Sequence, residues 1–199
     1  MFVKTLFAAA ALFATVGASA GPILNGNFEA GLTSWNKSGN VDIARIGNSS
    51  YFGAGNPAQN GSNVVAFNGG DSTPNGSIWQ SFVTTTRAQY TVNFDFGATS
   101  CTSSCGQSLL ASVFGADGTT LLASKTVAGG SNGALGSFSF NFGANGTATT
   151  LRFSDLATNR TVSIDGVLDN VSVTAVPEPA SLALLSLGLV GLVARRRRA

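Results

Sequence analysis

The sequence predicts an all-β fold: an antiparallel β-sandwich of the jelly-roll type, flanked by an N-terminal signal helix and a C-terminal hydrophobic helix. Three observations carry that reading. Apolar and polar residues alternate with period two, as in Tyr90, Val92, Phe94 and Phe96 against Thr91, Asn93 and Asp95. The short runs are separated by turn dipeptides such as Asn60-Gly61, Asp117-Gly118, Asn145-Gly146 and Asp165-Gly166. A helical period is almost absent between the two ends. Half-buried strands joined by tight turns produce this pattern, and many of them at close spacing indicate a sandwich or jelly roll.

The elements follow in chain order. Lys4, an apolar run over 6–16 and the small-x-small triplet Ala18-Ser19-Ala20 form a secretory signal peptide, cleaved between Ala20 and Gly21 by signal peptidase. The run is too short to span a bilayer, which takes about 20 residues. Strands are predicted at 41–46, 64–67, 78–83, 90–96, 109–114, 121–127, 137–142, 149–153, 162–164 and 169–173. Ile78, Gln80 and Phe82 share one parity, which leaves Trp79 on the other; Phe138, Phe140 and Phe142 likewise alternate with Ser137, Ser139 and Asn141. At the C-terminus, Pro177-Glu178-Pro179 makes an extended linker because proline fixes φ and restricts the residue before it. An apolar helix over 182–193 and the cluster Arg195, Arg196, Arg197 and Arg198 close the chain. That helix is marginal as a permanent span, and its arginines belong on the cytoplasmic side, which places the preceding domain outside.

The order of Pro177-Glu178-Pro179, apolar helix and arginine cluster resembles the PEP-CTERM sorting tail of Gram-negative bacteria. The resemblance covers only the last two dozen or so residues and departs at Ala180, where a serine is common. It implies recognition by exosortase, a membrane transpeptidase-like protease that removes the helix. It also implies delivery to the cell surface or its polysaccharide-rich matrix, after transient anchoring in the inner membrane. The chain thus divides into a signal peptide (1–20), one domain (21–175) and a sorting tail (176–199).

Composition excludes several function classes for the domain. Six basic residues stand against eight acidic ones, a net charge of −2, so the basic balance of the whole chain comes from its two ends. Nucleic-acid binding loses its usual electrostatic footprint. There is no histidine, which removes Ser-His-Asp and Cys-His catalysis and histidine-bearing zinc sites. Cys101 and Cys105 flank Thr-Ser-Ser. In an exported protein, oxidation is the default state, so they are expected to form a disulfide that pins a loop tip.

Leu24-Asn25-Gly26-Asn27-Phe28-Glu29, read as an opening strand and followed by Trp35, resembles the start of galactose-binding-like jelly rolls, a group that includes several carbohydrate-binding module families. The run from Ile164 to Val173 is similar to their closing strand, and the segment from Ile78 to Phe96 to their central hairpin. In those families an acid after the N-terminal Phe and one in the last strand share a structural calcium. The resemblance therefore implies Ca²⁺ held by Glu29 and Asp169, and oxygen donors suit that hard cation. Asp169 shares parity with Val171 and Val173, which would put it at the head of a buried face; a carboxylate there is costly unless paired or bound to metal. The alternative is that Glu29 takes a basic partner and Asp169 caps a turn.

Two aromatics are candidates for glycan contact. Trp79 should face outward, where a flat ring can stack on a sugar, and Tyr51 lies in a Gly- and Asn-rich loop. Each could equally pack beneath a loop, and Trp35 is assigned to the core. A glycosidase needs two carboxyls facing a sugar cleft, and nothing in the sequence marks such a pair. The expected function is a non-enzymatic, exported surface or matrix protein that binds polysaccharide, with no nucleic-acid partner. A purely structural matrix role is the alternative, and a glycan hydrolase a third reading.

Overall fold

The computed structural model describes residues 23–45, 63–69, 73–98, 106–129, 135–159 and 165–177. Among them ten strands run in chain order: β1 (Asn36–Ser38), β2 (Val41–Arg45), β3 (Asn63–Phe67), β4 (Ser77–Val83), β5 (Gln89–Ala98), β6 (Ser108–Phe114), β7 (Leu121–Ala128), β8 (Gly136–Gly143), β9 (Ala148–Asp155) and β10 (Gly166–Ala175). They form two five-stranded antiparallel sheets. Sheet A has the order β1-β4-β9-β6-β7, and sheet B the order β2-β3-β10-β5-β8. The expected sandwich is what forms. Both flanking helices and the expected strand at 162–164 lie outside the described residues.

The core lies where the inward faces meet. On β5, Tyr90, Val92, Phe94 and Phe96 are buried while the residues between them are partly open. Phe94 joins the sheets: its ring centroid is 5.8 Å from Phe138 on β8 and 5.1 Å from Phe153 on β9. Each such ring removed from water stabilises the fold by about 2–3 kcal/mol. β3 is buried along its whole length because both of its faces are covered. Val65 and Phe67 join the main core, whereas Val64 and Ala66 form a second patch with Ala44 and Val167.

Gln80 faces inward with its neighbours Ile78 and Phe82 and ties the N-terminal segment to sheet A. Its amide donates to the carbonyls of Leu24 and Ser34, both at 3.0 Å, and its Oε1 accepts from Leu24 N at 2.7 Å. Burying an amide is costly unless it is bonded, and this one is satisfied on both sides. Trp35 is core, as expected: it packs against Phe28 at 5.3 Å and donates from Nε1 to the Asn25 carbonyl.

Three expectations are corrected, and one strand lies where none was expected. Residues 24–27 form a turn where a strand was read. Asn25 and Phe28 have φ values of 51° and 54°, and the Asn25 side chain bonds Ala30 N, Gly31 O and Thr33 O. Asparagine tolerates this region and replaces ladder bonds with its own. The segment from Ile78 to Phe96 is no hairpin, because β4 belongs to sheet A and β5 to sheet B. The connection carries the chain over the core so that both apolar faces point inward. β1 went unread because Asn-Lys-Ser is exposed throughout and has no apolar residue to alternate.

The third correction concerns Asp169. The register between β10 and β5 pairs Leu168 with Phe96 and Asp169 with Asp95, then shifts and resumes at Ser172 with Asn93. Asn170 and Val171 together oppose Phe94, which is a β-bulge, and Asn170 takes the left-handed φ of 53° that the bulge requires. The extra residue inverts the parity. Leu168 and Val171 face the core, and Asp169 turns to the outer side of sheet B beside Asp95.

Candidate glycan face and carboxylate cluster

On the outer side of sheet A, β4, β9 and β6 present a row across the sheet. Trp79 is register-paired with Arg152, and Arg152 with Ser112. Successive strand residues point to opposite faces, and Ile78, Leu151 and Phe153 are buried, so Trp79 and Arg152 point outward. The outward position expected for Trp79 is where the structure places it. The Arg152 guanidinium carbon lies 5.3 Å from the centre of the Trp79 ring and 5.3 Å from that of Phe114. Around this stack are hydroxyls, paired across strands as Ser77 with Ser154 at 3.1 Å and Ser81 with Thr150 at 2.8 Å. Among the described residues, no acidic side chain belongs to this face.

The second arrangement joins the N-terminal segment to the β10 bulge. Val171 N donates to the Gly26 carbonyl at 2.8 Å. Glu29 Oε1 accepts from Asn63 N at 2.9 Å, and the Asn63 amide donates to the Glu29 carbonyl at 3.1 Å. Asp169 is wholly buried. Its Oδ1 accepts from Asn170 N at 2.7 Å, whereas Oδ2 has no partner. Burial, reinforced by the negative charges of Asp95 and Glu29, pushes its pKa up to about 6. Asp95 is already engaged by Ser137 Oγ at 2.6 Å and the Asn170 amide at 2.7 Å.

The structure thus brings Glu29 into electrostatic reach of Asp169, as the sequence suggested, but on the outer side of sheet B and through the bulge. Asp169 Oδ2, Asn170 Oδ1 and Asn63 Oδ1 are all buried oxygens without a partner. Among the described residues no group of three or more His, Cys, Asp or Glu side chains could hold a metal ion. A cation here would draw on amide and main-chain oxygens beside the carboxylates, which calcium accepts.

A further polar cluster escaped sequence reasoning. Asp155, at the end of β9, accepts from the Asn159 amide. Asn159 also bridges Ser108 N and O, at 2.9 and 2.7 Å, and so ties β9 to β6. Burial raises the Asp155 pKa to about 6 against the bonds from Asn159, the Leu156 backbone and Asn68. Amides are so common in this chain that no spacing marks these. Tyr51, Cys101, Cys105, Ala20, Gly21, Glu178, Pro179 and Arg195 to Arg198 lie outside the described residues, and Pro177 is exposed just after β10.

Comparison with known proteins adds two family matches. Residues 21–174 match the family model described as Protein of unknown function (DUF642), and residues 175–198 match the PEP-CTERM protein-sorting motif. No curated protein matches the sequence. Among solved structures, the chain is similar to TmCBM61, solved in complex with β-1,4-galactotriose, at 17% identity and a TM-score of 0.54 over 79% of this chain and 100% of that one. It is also similar to a family 16 carbohydrate-binding module, at 15% identity and 0.51 over 76% and 98%. A third is the K1 cleaved adhesin domain of Lys-gingipain from Porphyromonas gingivalis W83, at 16% and 0.51 over 79% and 99%. At these identities the likeness establishes the shared jelly-roll fold.

Proposed function

The chain belongs to the DUF642 family, and on that footing we propose that it is an exported, exosortase-processed surface protein that binds polysaccharide without cleaving it. The observation that carries this reading is the outer face of sheet A. There Trp79 stands on β4, which is paired on both sides, among hydroxyls and Arg152. An aromatic ring supplies apolar area for a sugar face, and surrounding polar groups bond its hydroxyls. No carboxylate of the described residues lies on that face, so it offers no acid–base pair of the kind glycosidases use. The sorting motif directly after the domain supports the surface destination, with exosortase and the inner membrane as partners only during transit.

The test is retention of the full chain on immobilised polysaccharides. Trp79→Ala should weaken binding at least tenfold, equivalent to about 1.4 kcal/mol, while its circular dichroism stays that of the parent. If no polysaccharide retains the chain, or if the alanine variant binds as well as the parent, the glycan site is not here. Concentration-dependent assembly without any glycan would instead favour a structural matrix role.

The Glu29–Asp169 cluster fits a structural calcium ion. Glu29 and Asp169 would supply the carboxylates, and Asn63 and Asn170 have buried oxygens without a partner. The ion would neutralise a buried carboxylate that otherwise carries an unmatched charge. A cation present at a hundredfold its Kd stabilises by about 2.7 kcal/mol, so chelation at neutral pH should lower the melting temperature by roughly 5–10 °C. An Asp169→Asn chain should show no such shift. A parent melt indifferent to chelator and to added calcium would overturn the assignment.

A further inference from the structure

The glycan face contains a cation with nothing to bond. Arg152 carries five N–H donors in a rigid planar fork. No carboxylate, carbonyl or hydroxyl of the described structure accepts from it, and its Nε is buried without a partner. Arg152 occupies β9, the middle strand of sheet A, where neighbouring strands flank it on both sides. Its guanidinium lies over the Trp79 and Phe114 rings. Cation–π contacts hold the group in place and are worth about 0.5–2 kcal/mol each, but they satisfy none of its donors. A half-buried guanidinium left this way is costly, and an anionic oxygen pair on its two terminal nitrogens offsets part of that cost.

We propose that Arg152 makes the face selective for acidic glycans, its fork taking the carboxylate of a uronic-acid unit while Trp79 packs against the sugar ring. This inference rests on the glycan-binding reading of sheet A and specifies its substrate class. Two features of the chain favour it. The planar guanidinium matches a carboxylate with two parallel bonds, which a sugar hydroxyl cannot offer. The face also has no acid among the described residues, whereas the exported domain as a whole has a net charge of −2. The net charge of the domain therefore repels a polyanion; in the full chain Arg195 to Arg198 add an attraction that parent and variants share, so the change of ratio on substituting Arg152 carries the test. Stacking between two rings holds the fork in one orientation, so little side-chain freedom is lost on binding.

The experiment compares the affinity of the full chain for polygalacturonate and alginate with that for β-1,4-galactan and xylan, at one fixed moderate salt concentration. The parent should prefer the acidic polymers by about tenfold or more, the difference charge-assisted bidentate bonds make. In Arg152→Gln the acidic-to-neutral ratio should fall by about that factor. Arg152→Lys keeps a charge without the fork and should recover only part of the ratio, which keeps the test open should the glutamine variant fold poorly. Equal affinity for acidic and neutral chains in the parent, or an unaltered ratio in Arg152→Gln, overturns the selectivity while leaving glycan binding intact. Failure to bind any of the four polymers overturns the glycan reading, and this inference falls with it.

Discussion

Gly26→Ala should destabilise the domain by about 3 kcal/mol or more, with its urea midpoint falling accordingly. A Cβ at this position would lie 1.9 Å from the Val171 carbonyl oxygen and 3.0 Å from its carbon. Both are main-chain atoms of the β10 bulge, so no rotamer change relieves the clash, and the N-terminal segment must lift away. Lifting breaks the Val171–Gly26 bond and pulls on the two Leu24 bonds to Gln80. It also uncovers Phe28 and Trp35, which cap the core. A second consequence separates this variant from a generic core defect. Glu29 rides on the same segment, so the chelator-induced shift in melting temperature should vanish along with the stability. An alanine variant with parental stability and a parental chelator response would show that the segment does not dock on the bulge.

Phe94→Ala is the other large effect, about 3–5 kcal/mol from lost burial and the cavity left behind. Phe94 is 1% exposed and touches Phe138 and Phe140 from its own sheet and Phe153 from the other. Its removal unbridges the sheets at the point where the Asn170–Val171 bulge opposes it. Domains of this size are stable by about 5–15 kcal/mol, so the variant should lie close to its unfolding threshold at 37 °C. Phe94→Leu, which retains most of the volume, should cost clearly less. A loss under about 1 kcal/mol for the alanine variant would mean that the neighbouring rings collapse into the gap.

Eight of the ten strands were legible within a residue or two, because each alternation is written in consecutive residues, and β10 was read three residues short at its start. Trp79 was read as outward for the same reason: Ile78, Gln80 and Phe82 around it define the buried parity. Asp169 shows where that reasoning fails. Counting by twos from Val173 crosses a bulge, and one extra residue reverses the face of everything before it. The bulge depends on Asn170 adopting a positive φ opposite Phe94, and the pairing with β5 decides that. Likewise, the segment from Ile78 to Phe96 shows two strands and a turn in one dimension. Whether they pair or face each other across the core depends on strands far along the chain.

By itself the sequence determined the class of fold, the inward side of most strands, the absence of histidine and the sorting motif at the C-terminal end. These are local properties, set by periodicity, composition and short motifs. Only the tertiary structure decided that Arg152 lies beside Trp79 and Phe114, and that Asp169 turns away from the core yet remains buried near Glu29. Those neighbours are chosen by sheet order and register. Both are set by the collective fit of two five-stranded sheets, a constraint that no single stretch of the chain contains.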